Sequence, residues 1–142
     1  MGIGNVMKGD DGIGVYISKK IKEDGWLSLD CGTAPENFTS IIKREKPMHI
    51  VLVDAVEMNL KAGEFRIVPK ERIDSFSIGT HNISLLHLIS YLEEHAKNII
   101  FIGIQPKKMD FSFEISKELR ESAKRVIKIL NGKEFDRLKI LE

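Results

Sequence analysis

The chain has 142 residues, enough for one domain with a single core, and its 22 Lys and Arg against 21 Asp and Glu give a formal net charge of +1. That balance gives no electrostatic footing for nucleic acid or for an anionic membrane. No apolar run approaches the ~20 residues of a membrane span, no signal-peptide core opens the chain, and the lone Cys31 can form neither an internal disulfide nor a cysteine metal cluster. A single domain over 1–142, in a reducing cytoplasm, is expected.

Taken in chain order, "MGIGNVMKGDDG" is a glycine-rich turn, after which Ile13, Val15, Tyr16, Ile17 and Ile21 recur at helical spacing. "WLSLDCG" alternates like a short strand, "ENFTSIIKREK" reads as a helix, and "MHIVLVDAV" is a near-continuous apolar run that fits a strand buried on both faces. "GEFRIVP" is a strand near an edge of the sheet. "NISLLHLISYLEEHAK" puts Ile83, Leu86, Ile89 and Leu92 on one helical face. "NIIFIGIQP" is a second buried strand stopped by Pro106, and "SKELRESAKRVIKIL" is a final helix with Ser116 as N-cap and "NG" as terminator. Alternating strands and helices imply an α/β fold: a three-layer α/β/α sandwich around a mostly parallel, doubly wound sheet. Ligands of such sheets gather outside the carboxyl ends of the strands.

The opening turn holds two adjacent acids, Asp10 and Asp11, and like charges side by side need a reason. A dinucleotide fingerprint falters because Met7 stands where the third glycine belongs, and Asp30 is the nearest thing to a ribose-binding acid. A P-loop fails for want of Gly-Lys-Ser/Thr, and an EF-hand loop for want of its DxDxDG pattern. The bland reading makes Asp10 an N-cap and Asp11 a favourable first-turn acid.

Asp54 and His81 shift the balance. Asp54 interrupts the most apolar strand near its end, and a buried carboxylate must meet a partner, a metal or the open rim, or else cap a neighbouring loop amide. His81 lies just before or within the first turn of a helix, where N–H dipoles favour the neutral imidazole that binds metals. Asp11, Asp54 and His81 can therefore converge on one rim, as a site for a borderline divalent ion with positions left open for substrate. His49 belongs to the opposite rim, while His87 and His95 are surface or core-edge groups of one helix.

The blocks "GIGNVMKGDDGIG", "DCGTAPEN", "IVLVDAV", "GTHNISLL" and "FIGIQP", in that order from residue 2 to about residue 130, resemble the NiFe-hydrogenase maturation endopeptidases, in particular the hydrogenase 3-type branch. The resemblance implies an endopeptidase that removes the C-terminal extension of a hydrogenase large-subunit precursor after nickel insertion. It implies that Asp11, Asp54 and His81 are the metal-contacting and catalytic positions. Nickel is then supplied by the precursor, and no permanent cofactor is expected. The alternative is a non-catalytic nickel checkpoint or carrier that binds the precursor without cutting it.

Two departures from the family pattern stand out. Cys31 replaces a glycine of the usual "DGGT", which is tolerable only if its backbone angle is ordinary. The apolar strand that usually precedes "GIGN" is missing, so the first strand is expected to be truncated, with the chain shortened at its N-terminus and two sheet edges exposed. The C-terminal "FDRLKILE" is apolar enough to lie against the exposed sheet or a second molecule. No Ser, Thr or Cys has a nucleophile setting, so hydrolysis is expected to use the metal or a carboxylate base.

Overall fold

The computed structural model describes residues 1–75 and 85–142. Among these, five strands form one sheet in the order β2-β1-β3-β5-β4. They are β1 (Gly2–Ile3), β2 (Asp30–Gly32), β3 (His49–Ala55), β4 (Phe65–Ile67) and β5 (Asn98–Ile104). All neighbours are parallel except β4, which runs antiparallel to β5. The helices are α1 (Ile13–Ser18), α2 (Thr39–Glu45), α3 (Leu85–Leu92) and α4 (Lys117–Asn131).

The layers follow from the two-residue period of the strands. Ile50 and Leu52 of β3 and Phe101 of β5 face a core with Ile42 of α2 and Leu85, Leu88, Ile89 and Leu92 of α3. Val51, Val53 and Ala55, with Ile102 and Ile104, face the other core, with Ile13 and Ile17 of α1 and Leu119, Ala123 and Val126 of α4. The expected three-layer sandwich is therefore observed. Within "WLSLDCG" only Asp30–Gly32 is paired as strand, and of the face expected for α3, Ile83 lies outside the described residues.

The first strand is as short as expected, but the expectation that two sheet edges lie exposed beside it is corrected. Gly2–Ile3 is itself a strand, seated between β2 and β3. Gly2 N donates to Leu29 O at 2.9 Å, Val53 N donates to Met1 O at 3.0 Å, and the terminal ammonium donates to Val51 O at 2.8 Å. Two glycines make this seat possible, because α1 lies directly on the strand. A Cβ at Gly14 would sit 2.1 Å from Val53 O and 2.4 Å from Ile3 O, and one at Gly2 would sit 2.1 Å from Gly14 O. At the amino end of β1, a cavity of about 500 Å³ opens between the Trp26–Leu29 segment and β3, walled by Ile17, Ile21, Trp26, Leu29, Ile42 and Val51.

The sheet ends on the other side at β4, where the C-terminal segment covers the edge. Ile67 N donates to Lys139 O at 2.8 Å and Leu141 N donates to Ile67 O at 2.9 Å, with Leu138 and Leu141 buried. The apolar tail thus lies against the sheet of its own chain, at the β4 edge rather than beside the short first strand where an exposed edge was expected.

In a doubly wound sheet the crevice opens where successive connections leave in opposite directions. Here β1 connects outward to β2, whereas β3 leads to β5 on the other side. The switch point is the gap between β1 and β3.

Candidate active site

The turn after β1 owes its shape to Gly4, at φ +147°, where a Cβ would meet Asp11 O at 1.9 Å. The paired glycines that mimic the start of a dinucleotide fingerprint are thus used internally: Gly2 packs on α1 and Gly4 on the Asp11 backbone. Lys8 leads into a 3-10 turn, Gly9–Gly12, that carries both acids and runs directly into α1.

Asp10 and Asp11 are each 1% exposed, yet their carboxylates lead different lives. Asp10 accepts from Lys107 N at 2.9 Å, Lys108 N at 3.1 Å, Ser116 N at 2.7 Å and the Ser116 hydroxyl at 2.8 Å. It therefore does not cap its own helix, as local pattern alone suggests; α1 has no side-chain cap at all. It pins the β5–α4 loop instead, and it occupies the Ser116 hydroxyl that sequence alone assigns to capping α4. The two buried oxygens thus meet four donors, which fills the hydrogen-bonding needs of the carboxylate.

Asp11 is less well supplied. Its Oδ2 accepts from Asn5 N at 3.0 Å, while its Oδ1 is buried and has no hydrogen-bond partner among the described residues. An orphaned carboxylate oxygen out of contact with water costs on the order of several kcal/mol unless a cation or proton donor meets it. The 3-10 turn that carries Asp11 packs against β3.

On β3, Asp54 is fully buried, and its Oδ1 accepts from Ala55 N at 2.8 Å. It stands one residue beyond Val53, the β3 residue that pairs with Gly2. Asp11 follows β1 and Asp54 lies toward the carboxyl end of β3, so the two acids flank the switch point of the sheet. The donor chemistry, two carboxylates with one buried oxygen left open, suits a hard or borderline divalent cation.

His81, the third residue expected here, lies outside the described residues, and among the described residues no group of three His, Cys, Asp or Glu side chains is arranged to hold a metal ion. Of the other histidines, His49 lies at the opposite rim as expected, whereas His95 falls outside the helix expected to carry it. His49 begins β3, 3.1 Å from the Asn98 amide and facing Phe135; His87 is exposed on α3; and His95, just past that helix, lies tilted against the Tyr91 ring with centroids 4.8 Å apart.

Sequence reading missed Gln105. It is buried immediately after β5, and its Oε1 accepts from Met58 N at 2.7 Å and Leu60 N at 3.2 Å, while its Nε2 donates to Glu57 Oε1 at 2.7 Å. It thereby braces the loop that leaves β3 beyond Asp54. The signal was present as a lone amide closing the apolar run "NIIFIGIQP", since a buried amide must find partners.

Cys31, by contrast, poses no strain, because its φ is negative and the left-handed angle falls on Gly32 at φ +53°. Burial pushes its thiol up to about 11, so it is a small protonated core group rather than a nucleophile.

The HycI family of hydrogenase maturation proteases matches residues 15–133 of the chain. The hydrogenase 3 maturation protease of Escherichia coli K12 is 35% identical over 134 residues, covering 92% of this chain and 86% of its own. Among solved structures, the solution structure of the endopeptidase HycI from Escherichia coli superposes with a TM-score of 0.88 at 32% identity, over 99% of this chain and 94% of that one. The crystal structure of the NiFe-hydrogenase maturation protease HycI from Thermococcus kodakarensis gives a TM-score of 0.81 at 32% identity, over 92% and 87%.

Proposed function

This chain belongs to the hydrogenase maturation protease family, and from that premise we propose its substrate and its working groups. It is a peptidase. Its substrate is the large-subunit precursor of a NiFe hydrogenase, from which it removes a C-terminal extension once nickel is in place. Asp11, Asp54 and His81 are the residues that hold the nickel, which arrives in the precursor and leaves with the product. The observation that carries this reading is the buried Oδ1 of Asp11, without a hydrogen-bond partner among the described residues, on a turn that packs against the strand carrying the fully buried Asp54. A site that keeps one carboxylate short of donors is a site waiting for a cation.

The residues have separable tasks. Asn5 N fixes the Asp11 carboxylate through Oδ2 and leaves Oδ1 to face the substrate's metal. Ala55 N fixes one oxygen of Asp54. His81, as neutral imidazole, completes the set. When bound, the nickel supplies Lewis acidity, which polarises a carbonyl or lowers the pKa of a water. A carboxylate oxygen not engaged by the cation can take the proton of the attacking water, a role that needs no covalent intermediate. A non-cleaving nickel carrier would use the same ligands, but the relatives are named as proteases and endopeptidases. A buried lone thiol and the lack, among the described residues, of a helix long and apolar enough to span a membrane support placing it in the cytoplasm.

The test is purified precursor, with and without nickel, incubated with wild type and with Asp11→Asn. Wild type should shorten the nickel-loaded precursor and leave the apo form uncut even in excess nickel. Asp11→Asn should cut at least about 100-fold more slowly, the scale of losing a positioned catalytic group, without a drop in melting temperature. Efficient cutting of apo-precursor would overturn the nickel requirement, and full activity of Asp11→Asn would overturn the site.

A further inference from the structure

The strip Val6–Lys8 and the strip Met109–Phe113 run side by side next to the Asp10–Asp11 turn. A parallel bridge joins Lys8 to Ser112. Gly9 N donates to Ser112 O at 2.8 Å, Ser112 N donates to Met7 O at 2.9 Å, and Asp10 N donates to Lys108 O at 2.9 Å. The Asp10 carboxylate fastens the same loop at Lys107, Lys108 and Ser116. On this frame stand side chains that a lone protein would hide: Phe111 is 78% exposed, Phe113 69%, Met7 48% and Val6 46%, with Met109 beside them. Phe111 and Phe113 meet edge to face, with ring centroids 5.6 Å apart.

An apolar cluster of this kind, on a braced loop, marks an interaction site. It serves no core, because two phenylalanines directed into solvent contribute nothing to packing. Its place is also informative. Asn5, which donates to Asp11 Oδ2, directly precedes Val6, and Val6 Cα lies 3.0 Å from where a Cβ on Gly12 would be. The ridge is thus continuous with the wall of the candidate active site. A protease that acts on a folded precursor needs affinity from the body of that protein, since the cleaved tail offers little area. Exposed aromatics on a rigid support serve this well, because they bury large area at small entropic cost.

We propose that Val6, Met7, Met109, Phe111 and Phe113 form the docking ridge for an apolar surface patch on the body of the precursor, adjoining its cleavable tail. The inference rests on the proposed protease function and adds to it the surface that selects the substrate. The ridge holds the precursor in ground state and transition state alike, so its loss raises KM and leaves kcat unchanged.

The experiment compares wild type, the double variant Phe111→Ser/Phe113→Ser and the control Ile140→Ser on nickel-loaded precursor, with cleavage kinetics and a separate binding titration. Ile140 is a 61% exposed apolar residue of the C-terminal tail, beside β4. The double variant should melt with wild type, keep kcat within about 2-fold and raise both KM and Kd by at least about 30-fold, the loss typical of an aromatic hot spot. Ile140→Ser should match wild type. If wild type cuts and the double variant binds and cuts equally well, the ridge is overturned while the protease reading stands. A loss confined to kcat also overturns it, since that places the loop at the reacting atoms. If wild type binds the nickel-loaded precursor but leaves it uncut, the protease reading falls, and the titration decides the ridge by itself.

Discussion

The two ends of β1 make opposite environments from the same short strand. At its carboxyl end, the turn Gly4–Gly12 is packed to contact, with Gly4 against Asp11 and Gly12 against Val6, and Asp10 meets four donors. At its amino end, the neighbouring β3 faces a cavity of about 500 Å³ with apolar walls. Dense packing lies at the end that holds the candidate site, where Asp10 is fully hydrogen-bonded and, of this turn's carboxylate oxygens, Asp11 Oδ1 alone lacks a partner among the described residues, and loose packing lies on the far side. Catalysis tolerates little positional error, and close packing around the candidate site would hold its groups where a displacement of about 1 Å would be felt in rate. A wall of leucine and isoleucine around a cavity costs stability but leaves the site untouched.

The largest expected effect comes from breaking the tight end. Asp10→Ala strips four donors of a charged acceptor and should destabilise the fold by about 4 kcal/mol, because each such bond is worth about 1.5–3 kcal/mol and they do not add fully. Thermal melting checks this. Asp10→Asn should lose clearly less, since it keeps an acceptor oxygen. Equal losses in the two variants would mean that shape rather than charge holds the β5–α4 loop.

Much of this contrast is legible in the sequence, and the reason the rest is not is physical. The strands β3 and β5 and the helix α4 announce themselves through period and apolar runs, because each buries a face against a neighbour everywhere along its length. Asp11 and Asp54 are legible as rim acids for the converse reason: a charge in an apolar setting needs an explanation. Asp10 reads wrongly as a local cap because its four donors lie 97 to 106 residues away, and no local pattern encodes such a partner. Gly2–Ile3 does not read as a strand because two residues have no period. Its identity comes from non-local pairing with β2 and β3, including the backbone bonds of Gly2 to Leu29, Gly4 to Gly32 and Met1 to Val53. Gln105 is hidden by the same non-locality, since the amides it holds belong to the loop after β3.

A smaller effect comes from the loose end and sharpens the contrast directly. Ile21 lines the cavity, whereas Ile102 lies in the fully buried core between β5 and α4. Replacing each with Ala removes the same atoms. Ile102→Ala should cost about 4 kcal/mol, near the upper end for such changes, because it opens a new void. Ile21→Ala should cost about 2 kcal/mol, because its surroundings are already incompletely packed and only the transfer of its methyl groups is lost. Urea unfolding with unchanged m-values would measure both. Equal costs would show that the cavity walls close up in solution and that the two ends of β1 are equally packed.

The smallest effect belongs to Cys31, which sits in β2 beside Ile3, between the tight end and the loose one. Its thiol is raised to about 11 from an ordinary 9.0, chiefly because burial disfavours the thiolate. At pH 7 both folded and unfolded chains keep the thiol protonated, so stability is unaffected there. Between pH 9 and 11 the unfolded chain releases a proton that the folded chain retains, so stability should fall as pH rises through that window. A more sensitive readout is alkylation at pH 8, where the folded chain should hold about 100-fold less thiolate than a denatured control and burial slows the reaction further. If Cys31 is labelled as fast as in the denatured chain while the fold persists, β2 must separate from β1 repeatedly without global unfolding. The cavity side would then be a locally opening unit and the Asp10–Asp11 turn the fixed one, which slow labelling after Ile21→Ala but fast labelling after Asp10→Ala would contradict.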